Sequence, residues 1–514
     1  MKKIILTAAA IMAATAASAQ HIYEMERISS TDLNGTARFV GMGGAMNALG
    51  AELSTISTNP AGIGLYRKSD MALTGSITIQ KGAPDFAGIG KTRASFDQAG
   101  VAVATKIGGK SLKYINYGFS YLKRKNLKNF IGLDNVLTGG LSQSYQMLDL
   151  AWDDVNGHWH DLVTEEGRDL APYPALMGYE TYRINPDGRG GYEPTDAASY
   201  NYRRVQWGGV HDYDFNLSFN WFDQIYAGAT LGVHSVDLHS ALDYGEMLAA
   251  GGDYYFRHDQ TLTGSGIDAK FGLIVRPVEE NPFRIGLAFH TPTLYSVVSD
   301  AYAYADGPNL DLLDGSYASS EAEVYGREYK IRTPWKVNVS LGTTAGTFFA
   351  VDAEYEYSNL PTARTIYADA YWGGRQTDPG LAEEAEACLR GVHTFRVGAE
   401  ARVGSNIFVR AGYNFVSAPM KTDAFLNYFA DSPSYYYNMG TDYVNLGATH
   451  RATLGLGYRG KHFYVDAAYQ YQTQAADVYA FHAPEAGNNW KNRLQGQGID
   501  LKRSNLMLTL GYKF

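Results

Sequence analysis

The chain has 514 residues, a formal net charge of −9, 39 tyrosines, 56 glycines and a single cysteine, Cys388. One cysteine excludes an intramolecular disulfide, and the acidic balance argues against a nucleic-acid partner. After residue 20 no stretch approaches the ~20 apolar residues of a spanning helix, which leaves a β-rich soluble protein or a transmembrane barrel whose polar lumen dilutes its apolar outer face.

The chain opens "MKKIILTAAAIMAATAASAQ", with Lys2 and Lys3, an apolar run to Ala16 and the small residues Ala17-Ser18-Ala19. This reads as a secretory signal peptide over 1–19. No cysteine follows the cleavage site, so no lipid anchor is expected. Residues 20–66 do not alternate like a strand. "ARFVGMGGAMNALGAELSTI" carries Arg38 and is rich in small residues, with helical stretches broken by Gly41, Gly43 and Gly44. In "STNPAGIGLY", Pro60 keeps Asn59 extended, fixes its own φ and starts a short helical turn that Asn59 can cap. Gly62 and Gly64 are expected to let the chain turn sharply into the first strand.

From there alternation takes over. Fourteen candidate strands fall at roughly 69–80, 98–107, 113–123, 211–221, 225–239, 264–277, 283–297, 333–343, 347–358, 392–404, 406–417, 449–459, 462–473 and 503–514. In the last, Leu506, Leu508, Leu510, Tyr512 and Phe514 share one face and Met507, Thr509 and Lys513 the other. Short turns of one to five residues join strands 2–3, 4–5, 6–7, 8–9, 10–11 and 12–13; long loops join the rest, the largest from Arg124 to Val210. One-sided loop lengths, an even count and charges on the non-apolar faces point to an all-β transmembrane antiparallel barrel, residues 67–514, rather than a sandwich. Lys270, Arg284, Arg396, Arg402 and Arg410 face the expected lumen, but so do Asp268, Asp352, Glu354, Glu356, Glu400 and Asp466. The first reading of these charges is mutual pairing. Lys270, Arg284, Arg396 and Arg410 are the candidates for holding a polar group of a ligand.

Four clusters remain. "DDVNGHWHD" brings together Asp153, Asp154, His158, His160 and Asp161, but its spacing fits neither a zinc helix nor a calcium loop, so a solvated loop is expected. Lys123, Arg124, Lys125 and Lys128 are expected at the outer end of strand 3, either as a solvated loop rim or in contact with lipopolysaccharide phosphates. "TDPGLAEEAEACLRG" reads as a short outer helix ending near Cys388, and Tyr435, Tyr436 and Tyr437 stand in another outer loop. No nucleotide, metal or cofactor motif is found, and no Ser/His/Asp set with motif context, so no enzyme is expected.

The signal peptide, "GTARFVGMGGA…STNPAGIGLYR", the strands "RAGYNF" and "GLGYRG", and the closing strand together resemble the FadL/TodX family of outer-membrane transporters for hydrophobic compounds. That resemblance implies an N-terminal hatch, residues 20–66, folded into the lumen of a barrel of about 14 strands. Arg38, Gly43, Gly44, Asn59, Pro60, Ala61 and Gly62 would then belong to the plug. It implies passive uptake of a fatty-acid-like or aromatic molecule, with lateral release into the outer membrane of a Gram-negative-type bacterium. Outer-membrane lipids and lipopolysaccharide would surround the barrel, and the assembly machinery would read the strand ending in Phe514. The alternative is a surface receptor or adhesin whose extracellular loops bind a partner or haem.

Overall fold

The computed structural model describes residues 21–82, 86, 90, 92–153, 156–169, 171–309, 316–368, 375–426, 432, 435–485 and 488–514. The expected signal peptide and Asp154 lie outside them. The wall strands are β1 (Asp70–Lys81), β2 (Thr92–Lys106), β3 (Leu112–Val136), β4 (Ala197–Trp221), β5 (Ile225–Leu248) and β6 (Asp253–Val275). Next come three strands in two pieces each: β7 (Arg284–His290 and Leu294–Pro308), β8 (Tyr317–Arg332 and Lys336–Ala345) and β9 (Phe349–Ser358 and Arg364–Ala368). Then follow β10 (Val392–Val403), β11 (Ile407–Val416), β12 (Tyr443–Arg459), β13 (Phe463–Tyr479) and β14 (Gln497–Lys513). All neighbours are antiparallel, and β1 pairs with β14 from Asp70↔Lys513 to Lys81↔Lys502, closing a fourteen-stranded barrel. Pro292, Pro334 and Pro361 sit in the three interruptions of β7, β8 and β9, where a residue without an N–H cannot continue the ladder.

Burial is inverted relative to a water-soluble protein. Leu506, Leu508 and Leu510 are 58%, 50% and 56% exposed, whereas Thr509 between them is fully buried. Val409, Leu454, Leu456, Phe395, Leu341, Phe271 and Phe215 extend the exposed apolar belt around the wall. A surface of this kind is stable only against hydrocarbon, so the barrel spans a membrane. Aromatic rings edge the belt: Phe463, Tyr512 and Phe514 near the short turns, and Tyr355, Phe395, Tyr413 and Phe415 on the loop side.

The strands differ from expectation above the belt. β3 and β4 run 25 residues each, β5 24 and β6 23. The loop expected from 124 to 210 therefore shrinks to 137–196, and Tyr317–Arg332, expected as loop, is the upper half of β8. These extensions stand clear of the bilayer, so their outer faces need not be apolar and the alternation fades. The basic cluster is corrected with them. Lys123, Arg124, Lys125 and Lys128 lie within β3; Lys128 is buried, and Arg124 pairs inward with Asp212 of β4 at 3.2 Å.

Candidate functional site

Residues 21–66 lie inside the barrel in two parts. The lower part is bolted to the wall by buried charge. Helix α2 (Ala37–Gly41) is capped by the Thr36 hydroxyl, which accepts from the Phe39 N–H at 3.1 Å. Arg38 donates to both oxygens of Glu400 on β10, at 3.0 and 2.9 Å. Glu400 also accepts from Arg410 of β11 at 2.6 Å, and Arg410 reaches Asp466 of β13 at 2.7 Å. Burial opposes the charge on Arg38, but Glu400 and Glu52 outweigh it and hold its pKa above the usual guanidinium value. Farther on, two carboxylates of β9 accept consecutive main-chain N–H groups. Met46 and Asn47 both donate to Glu354 at 2.7 Å, and Ala48 and Leu49 donate to Asp352 at 3.0 and 2.9 Å. Such charge-assisted bonds replace the water that a buried carboxylate has lost.

Small residues allow this closeness. Gly43 (φ +66°) and Gly44 (φ +81°) are left-handed. A Cβ on Gly43 would stand 2.8 Å from the Tyr413 nitrogen. The wall reciprocates, since a Cβ on Gly398 or Gly412 would come within 2.2 Å of plug main chain at residues 42–43. Asn59 caps the 3₁₀ turn Pro60–Leu65 by accepting from the Ala61 N–H at 3.2 Å, and its amide donates to the Asn47 carbonyl at 3.0 Å. The Pro60 carbonyl accepts from Ser218 of β4 at 2.7 Å. Gly62 and Gly64 lie within that 3₁₀ turn, just before β1. Neither is left-handed; instead a Cβ would stand 2.4 Å from Thr55 Oγ1 at Gly62 and 2.9 Å from the Phe219 carbonyl at Gly64. Close approach is their requirement.

The upper part is held differently. Helix α1 (Ile22–Ser29) is buried on every side, with Ile22, Met25 and Ile28 among Leu238, Leu262, Val297, Ile331 and Tyr443. Residues 30–34 then follow the edge of β3. β2 and β3 pair only from Lys106↔Tyr114 to Gln98↔Leu122. Above that level residues 92–97 stay with β1 and residues 123–136 with β4, so the wall parts. The plug supplies the missing partners from inside. The Asp32 N–H donates to the Arg124 carbonyl at 3.0 Å, the Asn126 N–H to the Asp32 carboxylate at 2.9 Å, and the Asn34 amide to the Lys123 carbonyl at 2.9 Å. An open strand edge demands such partners.

Between the two parts lies a cavity of about 200 Å³. Leu33, Phe39, Leu122, Leu127 and Leu446 give it an apolar side, and Lys270, His290, Lys336, Glu356, Arg396 and Arg451 a polar one. A cavity of roughly 150 Å³ already accommodates a benzene-sized guest. Above α1, helices α3 (Ser144–Ala151) and α4 (Tyr173–Glu180) of the longest loop pack onto Tyr200, Tyr202, Tyr244 and Phe481 as a lid. The fully buried pair Arg183–Glu246 ties that loop to β5. Helix α5 (Pro379–Cys388) forms as expected, and burial pushes the Cys388 thiol up to about 12, as befits a packing residue. In the aromatic loop Tyr435 is buried against Tyr436, edge to face at 5.0 Å. His158 is exposed while His160 is buried, and burial lowers its pKa; among the described residues no three ligating groups converge.

Of the four cations singled out in the sequence, Lys270 and Arg396 line the cavity, already engaged by Asp214 (2.6 Å) and by Glu354 and Glu356 (3.3 and 3.2 Å). Arg284 instead donates to the plug carbonyl of Leu49 at 2.8 Å, and Arg410 belongs to the Arg38 network. Arg402 is exposed and bonds the Ser405 carbonyl in the adjoining turn, not the lumen. Sequence reasoning placed Asp352, Glu354 and Glu400 on the lumen face without foreseeing that they receive the plug. It missed Asp32, Asn34, Lys336 and Arg451.

No family model and no curated protein matches the sequence. Among solved structures, the chain superposes on the crystal structure of a Pseudomonas aeruginosa FadL homologue with a TM-score of 0.52 at 13% identity, covering 94% of this chain and 99% of that one. The P. putida toluene transporter TodX (TM-score 0.48, 11% identity) and the Ralstonia pickettii toluene transporter TbuX (0.47, 13%) also align over 94% of this chain and 99% of theirs. On the first of these superpositions, this chain shares the barrel fold of that FadL homologue.

Proposed function

We propose that the protein is an outer-membrane channel through which small hydrophobic or amphipathic molecules pass without energy coupling and are released sideways into the membrane. The observation that carries this reading is the two-faced cavity held between a bolted floor and a separately held upper segment. Its size suits a compact molecule or one end of a longer one. Because the polar lining is largely self-paired, orientation rather than tight capture is its role, which suits a conduit.

The gap between β2 and β3 supports lateral release: residues 30–34 cover its inner side, so moving them enlarges the cavity and bares the wall opening in one step. Asn59, Pro60 and Ala61 stay put in this reading and hold the floor. A cleaved signal at 1–19, a surround of lipopolysaccharide and assembly through β14 ending in Phe514 belong to the same proposal.

The test is mass spectrometry of small molecules extracted from the protein purified in native lipid discs, beside an unrelated barrel treated identically. A specifically enriched apolar or amphipathic compound is expected. Repeated recovery of bulk lipid alone from both barrels would count against the proposal.

A further inference from the structure

We infer that the ligand enters the cavity sideways, from the outer boundary of the bilayer, between β11 and β12. This rests on the transport reading above but departs from a path through the loop mouth. Overhead, α1 sits in one apolar cluster and the lid in a second, and no residue of 137–196 lines the cavity. Two packed layers therefore stand between the cavity and the loop side.

The wall is thinner at one place. β11 ends with the pairs Thr394↔Val416 and Val416↔Thr449. Beyond it, residues 417–419 remain bonded to the β10 side: the Ser417 N–H donates to the His393 carbonyl at 2.9 Å and the Arg390 N–H to the Pro419 carbonyl at 3.0 Å. β12 continues upward paired to β13 alone, with its register shifted across Gly447 and Ala448. Among the described residues no backbone hydrogen bond joins 417–419 to 446–448. Two hollows meet at this seam. Ser417 lines the internal cavity and also an open groove of about 710 Å³ on the outer face. On the inner side its neighbours are Val416, Pro419 and Leu446; on the outer side they are Ala418, Ala448 and Phe415.

The depth fits a molecule dissolved in the outer leaflet. Beside the groove, Tyr355 meets His393 and Tyr413 meets His450, hydroxyl to Nδ1 at 2.8 and 2.7 Å, the polar-tipped rings of an interfacial girdle. Arg390, whose Nε donates to the Ala418 carbonyl at 3.0 Å, lines the groove together with Tyr355, Tyr357 and Phe415. A compact amphiphile can thus slide its apolar part past Ala418 and Ala448 without first displacing residues 30–34, which lie against β3.

Two experiments test this. Uptake of the apolar fluorophore 1-N-phenylnaphthylamine is compared in cells carrying equal amounts of the wild-type barrel, Ser417→Trp, Ala448→Trp, or Leu454→Trp as a lipid-facing control. The seam variants are expected to fall to the background of cells without the barrel while the control keeps wild-type uptake. Seam variants that keep full uptake would overturn the inference. A wild-type barrel adding nothing to background would count against the transport reading itself, and the second experiment then decides independently. A bimane on Ser417→Cys, in a Cys388→Ala protein in lipid discs, is expected to be quenched by a nitroxide lipid labelled near its headgroup. An unquenched bimane would overturn the inference.

Discussion

The two parts of the plug meet the same wall by different physics. Residues 35–66 meet it through carboxylates, bidentate arginine and glycines so close that no Cβ fits; residues 21–34 meet it through apolar packing, hydrogen bonds from Gln260 and Tyr329 to the buried Glu24, and a few more to an open strand edge. Breaking a buried charge pair strands a charge, whereas lifting residues 30–34 off the strand edge gives up only a few hydrogen bonds. The contrast teaches that the lower part is built to stay and the upper part can move. The largest loss is therefore expected at the floor. Glu354→Ala removes the acceptor of two plug N–H groups and a partner of Arg396, and is expected to cost about 3–5 kcal/mol of plug retention. Sensitivity of cells to a large polar antibiotic checks it, since a loosened floor leaks.

Arg38→Ala leaves Glu400 with Arg410 alone and is expected to cost slightly less, about 3 kcal/mol. Arg38→Lys should rescue only part of it, because an ammonium cannot match the bidentate geometry. Denaturant unfolding in detergent reads both. Gly43→Ala comes next: the left-handed backbone alone costs an L-residue about 1–2 kcal/mol, before the contact with Tyr413 is counted. The smallest effect belongs to the upper part. Asn34→Ala deletes the two hydrogen bonds its amide donates, to the Lys123 carbonyl of β3 and to Asp97 of β2, together worth about 1–2 kcal/mol. Hydrogen exchange should speed at residues 123–126 and leave residues 45–49 unchanged; equal acceleration of both would erase the distinction between the two parts.

What the sequence revealed follows the same physical divide. Where hydrocarbon constrains the outer face, as at Leu506, Leu508 and Leu510, alternation is strict and the strands could be placed. Above the belt the constraint lapses, and the upper halves of β3, β4 and β8 were unreadable as strands. The Asn59 cap was legible because it is a local event of a few residues. The lodging of Asp32 against Arg124, or of Met46 and Asn47 on Glu354, joins residues far apart in the chain, and no spacing records it. Periodicity placed Lys270 and Arg284 alike on the lumen face, but only the packed plug decides that one lines the cavity and the other grips the floor.

The most direct test of a moving upper part is a reversible lock. Ser30 and Lys125 meet tip to tip across the β3 edge. In a Cys388→Ala background, Ser30→Cys and Lys125→Cys can be bridged by a short bifunctional thiosulfonate and released by reductant. Uptake of 1-N-phenylnaphthylamine should fall when the bridge forms and return when it is cleaved, with either single cysteine unaffected. Undiminished uptake by the fully bridged protein would contradict the account.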